Sequence, residues 1–246
     1  IAVVLAVIAP FAYDDQMKET VKTADGKTEN AAQAEIEAAK AKMLVKPSGL
    51  VNFFTMFYGF VCMFIMYGAQ QYTKAFGMSN CGLTEAQAAG MTSIYTVGSV
   101  IAVVFWAVMM GKLQWNPLKV VLIDSIFTAV ALAIVLLVSN VAVIYVAIAL
   151  LGFFAAGGAL QTGLGIRQEM CPGPKGRNTG IYYTWMGLAS CFLPYIVSAM
   201  TTSIGEAAAV YTMMGLLLAA AVIAILMMLY LVSQYKKIFG KSALSK

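Results

Sequence analysis

The side chains able to do chemistry in this chain are few, and their kinds are restricted. Histidine is absent, which removes the usual catalytic base and the commonest metal ligand. Cys62, Cys81, Cys171 and Cys191 form neither a CxxC pair nor a Cys/His cluster. The commonest zinc sites are therefore excluded, and the thiols read as small apolar filler. Asp124 is the acidic residue that falls inside a long apolar stretch. An ionisable group in hydrocarbon is a functional suspect by default. Asp124 lies only about 10 Å into its helix at about 1.5 Å per residue. The expected role is pairing with Lys112 or another neighbour at the membrane rim, as a structural or gating contact, ahead of an ion site.

Neutral polar groups are better placed to bind a solute. Tyr67, Gln70 and Gln71 share one helix face at i, i+3 and i+4. Tyr58, nine residues before Tyr67, points the opposite way. Interface anchoring explains the tyrosine, whereas two adjacent glutamines suit a cavity lining. Gln161 follows the pair Gly157–Gly158 in "GFFAAGGALQTGLGIRQE", and an amide in hydrocarbon needs a neighbouring helix or a solute as partner. Tyr182 and Trp185 share a face too, either as an inner aromatic belt or as solute contacts. Tyr67, Gln70, Gln161, Tyr182 and Trp185 are the candidate substrate-binding residues. They offer hydroxyls, amides and ring faces but no fixed charge.

Those residues need elements to hold them, and composition says which. Of 246 residues, 61% are hydrophobic and 11% charged, against about 25% charged in a soluble domain. The bilayer is the expected solvent. Six segments reach the length of about 20 apolar residues that a span needs: A (50–72), B (86–111), C (117–138), D (141–166), E (179–201) and F (205–234). Helices are the open structures that satisfy their own backbone in lipid, so the predicted fold class is an all-α membrane protein. Gly152, Gly157, Gly158, Gly163 and Gly165 let D pack closely on its neighbours, or let it bend in a conformational change. Pro194 predicts a kink in E.

Ahead of A, "IAVVLAVIAPFAY" (1–13) lacks the basic start and cleavage site of a signal peptide. It reads as the end of a preceding transmembrane helix whose beginning is missing, so a fragment is expected. Residues 14–48 read as a polar connector, with a surface helix in the Ala/Glu/Lys-rich "ENAAQAEIEAAKAKMLV". Residues 49–235 hold the six-helix domain, and 236–246 form a basic tail. Lysine and arginine set the orientation. All of them except Lys74 fall in the connector, the B–C turn, the D–E turn or the tail, which lie on one side if all six segments span. That side is expected to be cytoplasmic, with the charges of "RQEMCPGPKGRNTG" facing water and anionic headgroups. A multi-pass cell-membrane protein follows, with a bacterial inner membrane as the expected setting. No basic patch with interleaved aromatics suggests nucleic acid.

This pattern resembles the C-terminal half of a major facilitator superfamily transporter. Residues 1–13 would be the end of that family's sixth helix, and A to F its seventh to twelfth. "GKLQWNPLK" in the B–C turn resembles the family's cytoplasmic loop motif at Gly111, Leu113 and Lys119. Trp115, Asn116 and Leu118 stand where the motif has an aspartate, a basic residue and a glycine. "GRNTG" at the entry to E is similar to many members. The resemblance implies two inverted three-helix repeats, with A and D lining a central cavity. A short internal match fits, with "GF" at 59–60 and 152–153 and glutamines at 70 and 161.

The function the resemblance implies is secondary active transport of a small polar organic solute by alternating access, with a missing N-terminal six-helix half as partner. It implies no bound cofactor, and proton or sodium as coupling ion. Gly111, Lys112, Lys119, Asp124, Arg167 and Arg177 would belong to the cytoplasmic gate. Two other readings stand beside it. A six-span structural or scaffold subunit is one. A membrane enzyme is disfavoured, because the spans lack a histidine, a carboxylate pair or a metal cluster.

Overall fold

The computed structural model describes residues 33–244, apart from the side chains of 159–161. The expected stub at 1–13 and the first half of the connector lie outside the described residues. Residues Ile1–Lys42 form one unit and Met43–Lys246 another. Within the first, 33–41 is a helix, α1, where the Ala/Glu/Lys-rich composition predicts one.

The second unit is helical throughout its described length. Its elements are α2 (Gly49–Cys81), α3 (Glu85–Lys112), α4 (Pro117–Leu137), α5 (Val141–Leu151), a π-helical turn (Gly152–Ala156), α6 (Ala159–Met170), α7 (Lys175–Ile204) and α8 (Glu206–Phe239). Local chemistry explains most of the boundaries. The Ser48 hydroxyl accepts from the Val51 amide at 3.3 Å to start α2. Gly82, in the left-handed region at φ 65°, ends it. Thr84 and Gln87 form a reciprocal capping box on α3. Asn116 caps α4 with Pro117 in its first turn, and Asn140 caps α5. The single residue Gly205, at φ 83°, turns α7 into α8.

Among the described residues, α2, α3, α4, α7 and α8 are long and apolar enough to cross a membrane. The predicted span D differs from the expected continuous helix. It is divided into α5, the π turn and α6, with the chain leaving helical order at Gly157 and Gly158. The paired glycines without a capping side chain leave nothing there to hold an unbroken ladder. Pro194, by contrast, sits inside an unbroken α7. The α2 helix is longer than span A, running on to Cys81.

Helix α8 packs against α2, α4 and α7, and α2 packs against α7 and α3. Outward faces are apolar. Val97, Val100, Ile101 and Val104 are exposed on α3 at helical spacing, with Val222 and Leu226 exposed on α8. A protein in water would bury such stripes, whereas a bilayer solvates them.

The two "GF" pairs have matching roles. A Cβ on Gly59 of α2 would lie 2.9 Å from the Tyr182 carbonyl oxygen of α7. A Cβ on Gly152 would collide with the Tyr95 carbonyl of α3, and one on Gly98 with the Ala149 carbonyl. Each glycine pair thus lets the first helix of one triplet meet the second helix of the other, backbone to backbone. This is the exchange expected of two inverted three-helix repeats.

Candidate functional site

Three groupings of side chains stand out, and the first is aromatic. Phe53, Phe57, Phe60 and Phe64 repeat along one face of α2, where neighbouring rings stack at 5.4, 5.4 and 6.1 Å between centroids. Trp185 of α7 stands edge-on to Phe53, Phe57 and Phe60, closest to Phe57 at 5.5 Å. Trp185 therefore belongs to a wall shared by α2 and α7. Farther along α2, Tyr67 is half-buried and Gln70 and Gln71 are exposed. Tyr67 continues the spacing of the phenylalanines. Tyr182 is placed differently from the expected solute contact. It is 0% exposed, turned into the bundle, where its hydroxyl and the Tyr58 ring both crowd Gly163. Gln161 lies on the first turn of α6, and its side chain is outside those described.

Arg167 makes the second grouping. The expectation that every charge of the α6–α7 turn faces water fails here, because Arg167 is 3% exposed. Its Nη1 donates to the Asn52 carbonyl at 3.3 Å, Asn52 Oδ1 at 3.1 Å and Thr55 Oγ1 at 3.2 Å. Its Nη2 donates to Asn178 Oδ1 at 3.2 Å, and Asn178 in turn donates to the Cys171 carbonyl at 3.0 Å. The planar fork of a guanidinium suits such divergent acceptors. One residue thereby ties α2, α6 and α7 together at the same end of the bundle. Burial pushes the Cys171 thiol up, while its Thr55 contact and the nearby Arg167 pull it down. Arg177, by contrast, is exposed.

The remaining expected gate residues divide. Gly111 and Lys112 are exposed in the α3–α4 turn. Lys119 holds its ammonium over the Trp115 ring, 4.3 Å from the centroid. Trp115, which stands where the loop motif has an aspartate, gives the lysine a ring face as partner.

Asp124 corrects the expected rim pairing. It is 1% exposed, and neither carboxyl oxygen has a hydrogen-bond partner. Lys112 does not reach it. Its face of α4 turns inward with Ser125 and Thr128, into a small cavity also lined by Tyr58, Cys62, Ile65, Phe154, Ala155 and Ala224. Distance along a helix gave depth in the membrane but not the direction in which the side chain points. Asn52, Thr55 and Asn178 were missed as partners of Arg167, and Trp106 as a neighbour of Asp124 at Gly158. Asn178 sits in the quoted "GRNTG", but nothing in the sequence joins it to Arg167.

Interrupted and unbroken apolar helices of this kind, packed as two interlocked triplets, define a polytopic membrane-transporter fold. The sequence model of the Major Facilitator Superfamily matches residues 49–244, and the chain belongs to that family. Its relatives include the inner membrane transport protein YdiM of Escherichia coli (strain K12), 29% identical over 58% of this chain and 35% of that protein. YdiN of the same organism is 30% identical over 51% of this chain and 30% of its own length. The uncharacterized MFS-type transporter YfkL of Bacillus subtilis (strain 168) is 29% identical over 75% of this chain and 45% of its own. The chain thus spans less than half the length of these relatives. In structure, it matches the peptide transporter POT in complex with sulfate at a TM-score of 0.67, with 17% identity over 85% of this chain and 43% of that one. A POT mutant in complex with alafosfalin gives 0.66. These likenesses show the fold. The family match and the curated relatives place the chain among multi-pass membrane transporters, which are not enzymes.

Proposed function

We propose that this chain forms the C-terminal six-helix half of a secondary active transporter, which moves a small polar organic solute by alternating access. The observation that carries the reading is the face of α2 and α7. A stacked phenylalanine ladder with an edge-on tryptophan leads along α2 to Tyr67 and the exposed Gln70. Ring faces suit a flat or apolar part of a solute, and amides suit its hydroxyl, carbonyl or amine groups. The interrupted fourth span, with Gln161 just beyond the break, supports it, since discontinuous helices build midplane sites in transporters. The partner half would supply the opposite wall, and a proton or sodium ion would supply the energy.

At the end holding the basic turns, the Arg167 clamp and the Lys119–Trp115 contact would belong to the inner gate. The chain would lie in a bacterial inner membrane, with 14–48 and the C-terminus cytoplasmic, as the basic residues on that side favour. The test is uptake by the full-length protein across a panel of sugars, carboxylic acids and drug-like compounds. Gln161→Ala is expected to impair uptake of the transported compound while expression stays near normal. Unchanged uptake kinetics would remove Gln161 from the site.

A further inference from the structure

We infer that Asp124 is a proton-binding site built into the interior of the six-helix bundle, facing the break in the fourth span. The carboxyl is 1% exposed, and neither oxygen is hydrogen-bonded to the protein. Among the described residues, no cation forms an ion pair with it. Lys112 is exposed at the end of α3, and the Arg167 Nη atoms donate to Asn52, Thr55 and Asn178.

The groups around Asp124 come from every packed element. Helix α2 presents Tyr58 and Cys62, the titratable groups of the cavity wall. Helix α3 presents Trp106, whose buried indole N–H also lacks a partner. The fourth span presents Phe154, Ala155 and Gly158, and α8 presents Ala224. Helix α7 approaches through Tyr182, which meets Tyr58 at Gly163. On α4 itself lie Ser125, which donates to the Val121 carbonyl at 2.8 Å, and Thr128.

A buried carboxylate with neither a cation nor a protein hydrogen bond is the costly form of the group in such a place. The cavity beside it has about 10 Å³ of space, room for about one water. A hard metal cation would need a shell of oxygens, and much of this wall is carbon. A proton needs one oxygen. Uptake adds one H⁺ to a carboxylate oxygen and removes one negative charge, and release reverses both. In the acid form, the new O–H is a donor facing that cavity.

Geometry links this site to the break. A Cβ on Gly158 would lie 2.6 Å from Trp106 Cδ1 and 3.4 Å from Asp124 Oδ2. The indole and the carboxyl therefore converge on the residue where the fourth span leaves helical order. On losing its proton, Asp124 would draw in the Trp106 N–H or water, and either movement crosses Gly158. The use of this step to drive a solute rests on the carrier reading above, whereas the binding of the proton does not.

The experiment is pH-difference infrared spectroscopy of the full-length protein in lipid nanodiscs, across roughly pH 4 to 10, with Trp106 fluorescence alongside. A carboxylic C=O band that disappears as pH rises is expected, absent in Asp124→Asn, together with a pH-dependent tryptophan emission lost in the same variant. A band that persists in Asp124→Asn would overturn the assignment. So would an emission that follows sodium at constant pH and ignores the proton. If Asp124→Asn does not fold, Trp106→Phe keeps the carboxyl in place. Its band is then expected to survive at a shifted frequency, and its loss or an unmoved band overturns the inference. The readout needs no solute, so it stands or falls separately from the carrier reading.

Discussion

Arg167 and Asp124 are both charged residues removed from water, and the bundle treats them in opposite ways. Arg167 is surrounded by amide, hydroxyl and carbonyl oxygens from two other helices, while Asp124 is left without a hydrogen bond. A lysine in place of Arg167 keeps the charge but loses the fork. Arg167→Lys is expected to lower stability by about 1–3 kcal/mol, read from the unfolding midpoint of the protein in detergent. A midpoint equal to wild type would mean that the clamp is not structural. The sequence could not show either environment. Asn52 lies 115 residues from Arg167, and a polar residue near the start of a span looks like any other interfacial one. Lys119 is a milder case. Trp115→Leu removes a ring face worth about 0.5–2 kcal/mol, and the loss should depend little on salt, because no opposite charge is involved. A strong salt dependence would point to a hidden acidic partner.

The spans were largely legible, because hydropathy marks a span, whereas the caps Thr84, Asn116 and Asn140 emerged from the structure. Helices α2, α3, α4, α7 and α8 follow from hydropathy and length. The fourth span does not. Five glycines in D announce both close packing and bending, and only tertiary contact separates the two uses. Gly98 and Gly152 serve packing, since a Cβ on either meets a backbone carbonyl of the facing helix. Gly158 sits at the break, and Gly165 faces open space. The contrast is testable. Gly98→Val is expected to cost about 1–3 kcal/mol or more through overpacking, seen as a lost or weakened monodisperse peak on size exclusion. Gly165→Ala is expected to leave that peak intact. Equal behaviour of the two would show that α3 and the fourth span do not cross at Gly98. The exchange of contacts between the "GF" pairs was legible only as a repeated dipeptide. Its meaning came from the pairing of Gly59 with α7 and of Gly152 with α3.

For the molecule as a whole, the account turns on one arrangement. Apolar helices cross the bilayer with the basic turns on one side and the Lys74 loop on the other. The Lys74–Glu85 ion pair at 2.7 Å joins α2 to α3 beside that loop, where Met78 is exposed. Gly176, at the start of α7, has open space around it. Single cysteines at Met78→Cys and Gly176→Cys in the full-length protein therefore report opposite faces. With a membrane-impermeant maleimide on intact cells, Met78→Cys is predicted to label above the background of the native thiols. Gly176→Cys is predicted to label only after permeabilisation. The reverse pattern, or equal labelling of both sites on intact cells, would contradict the account.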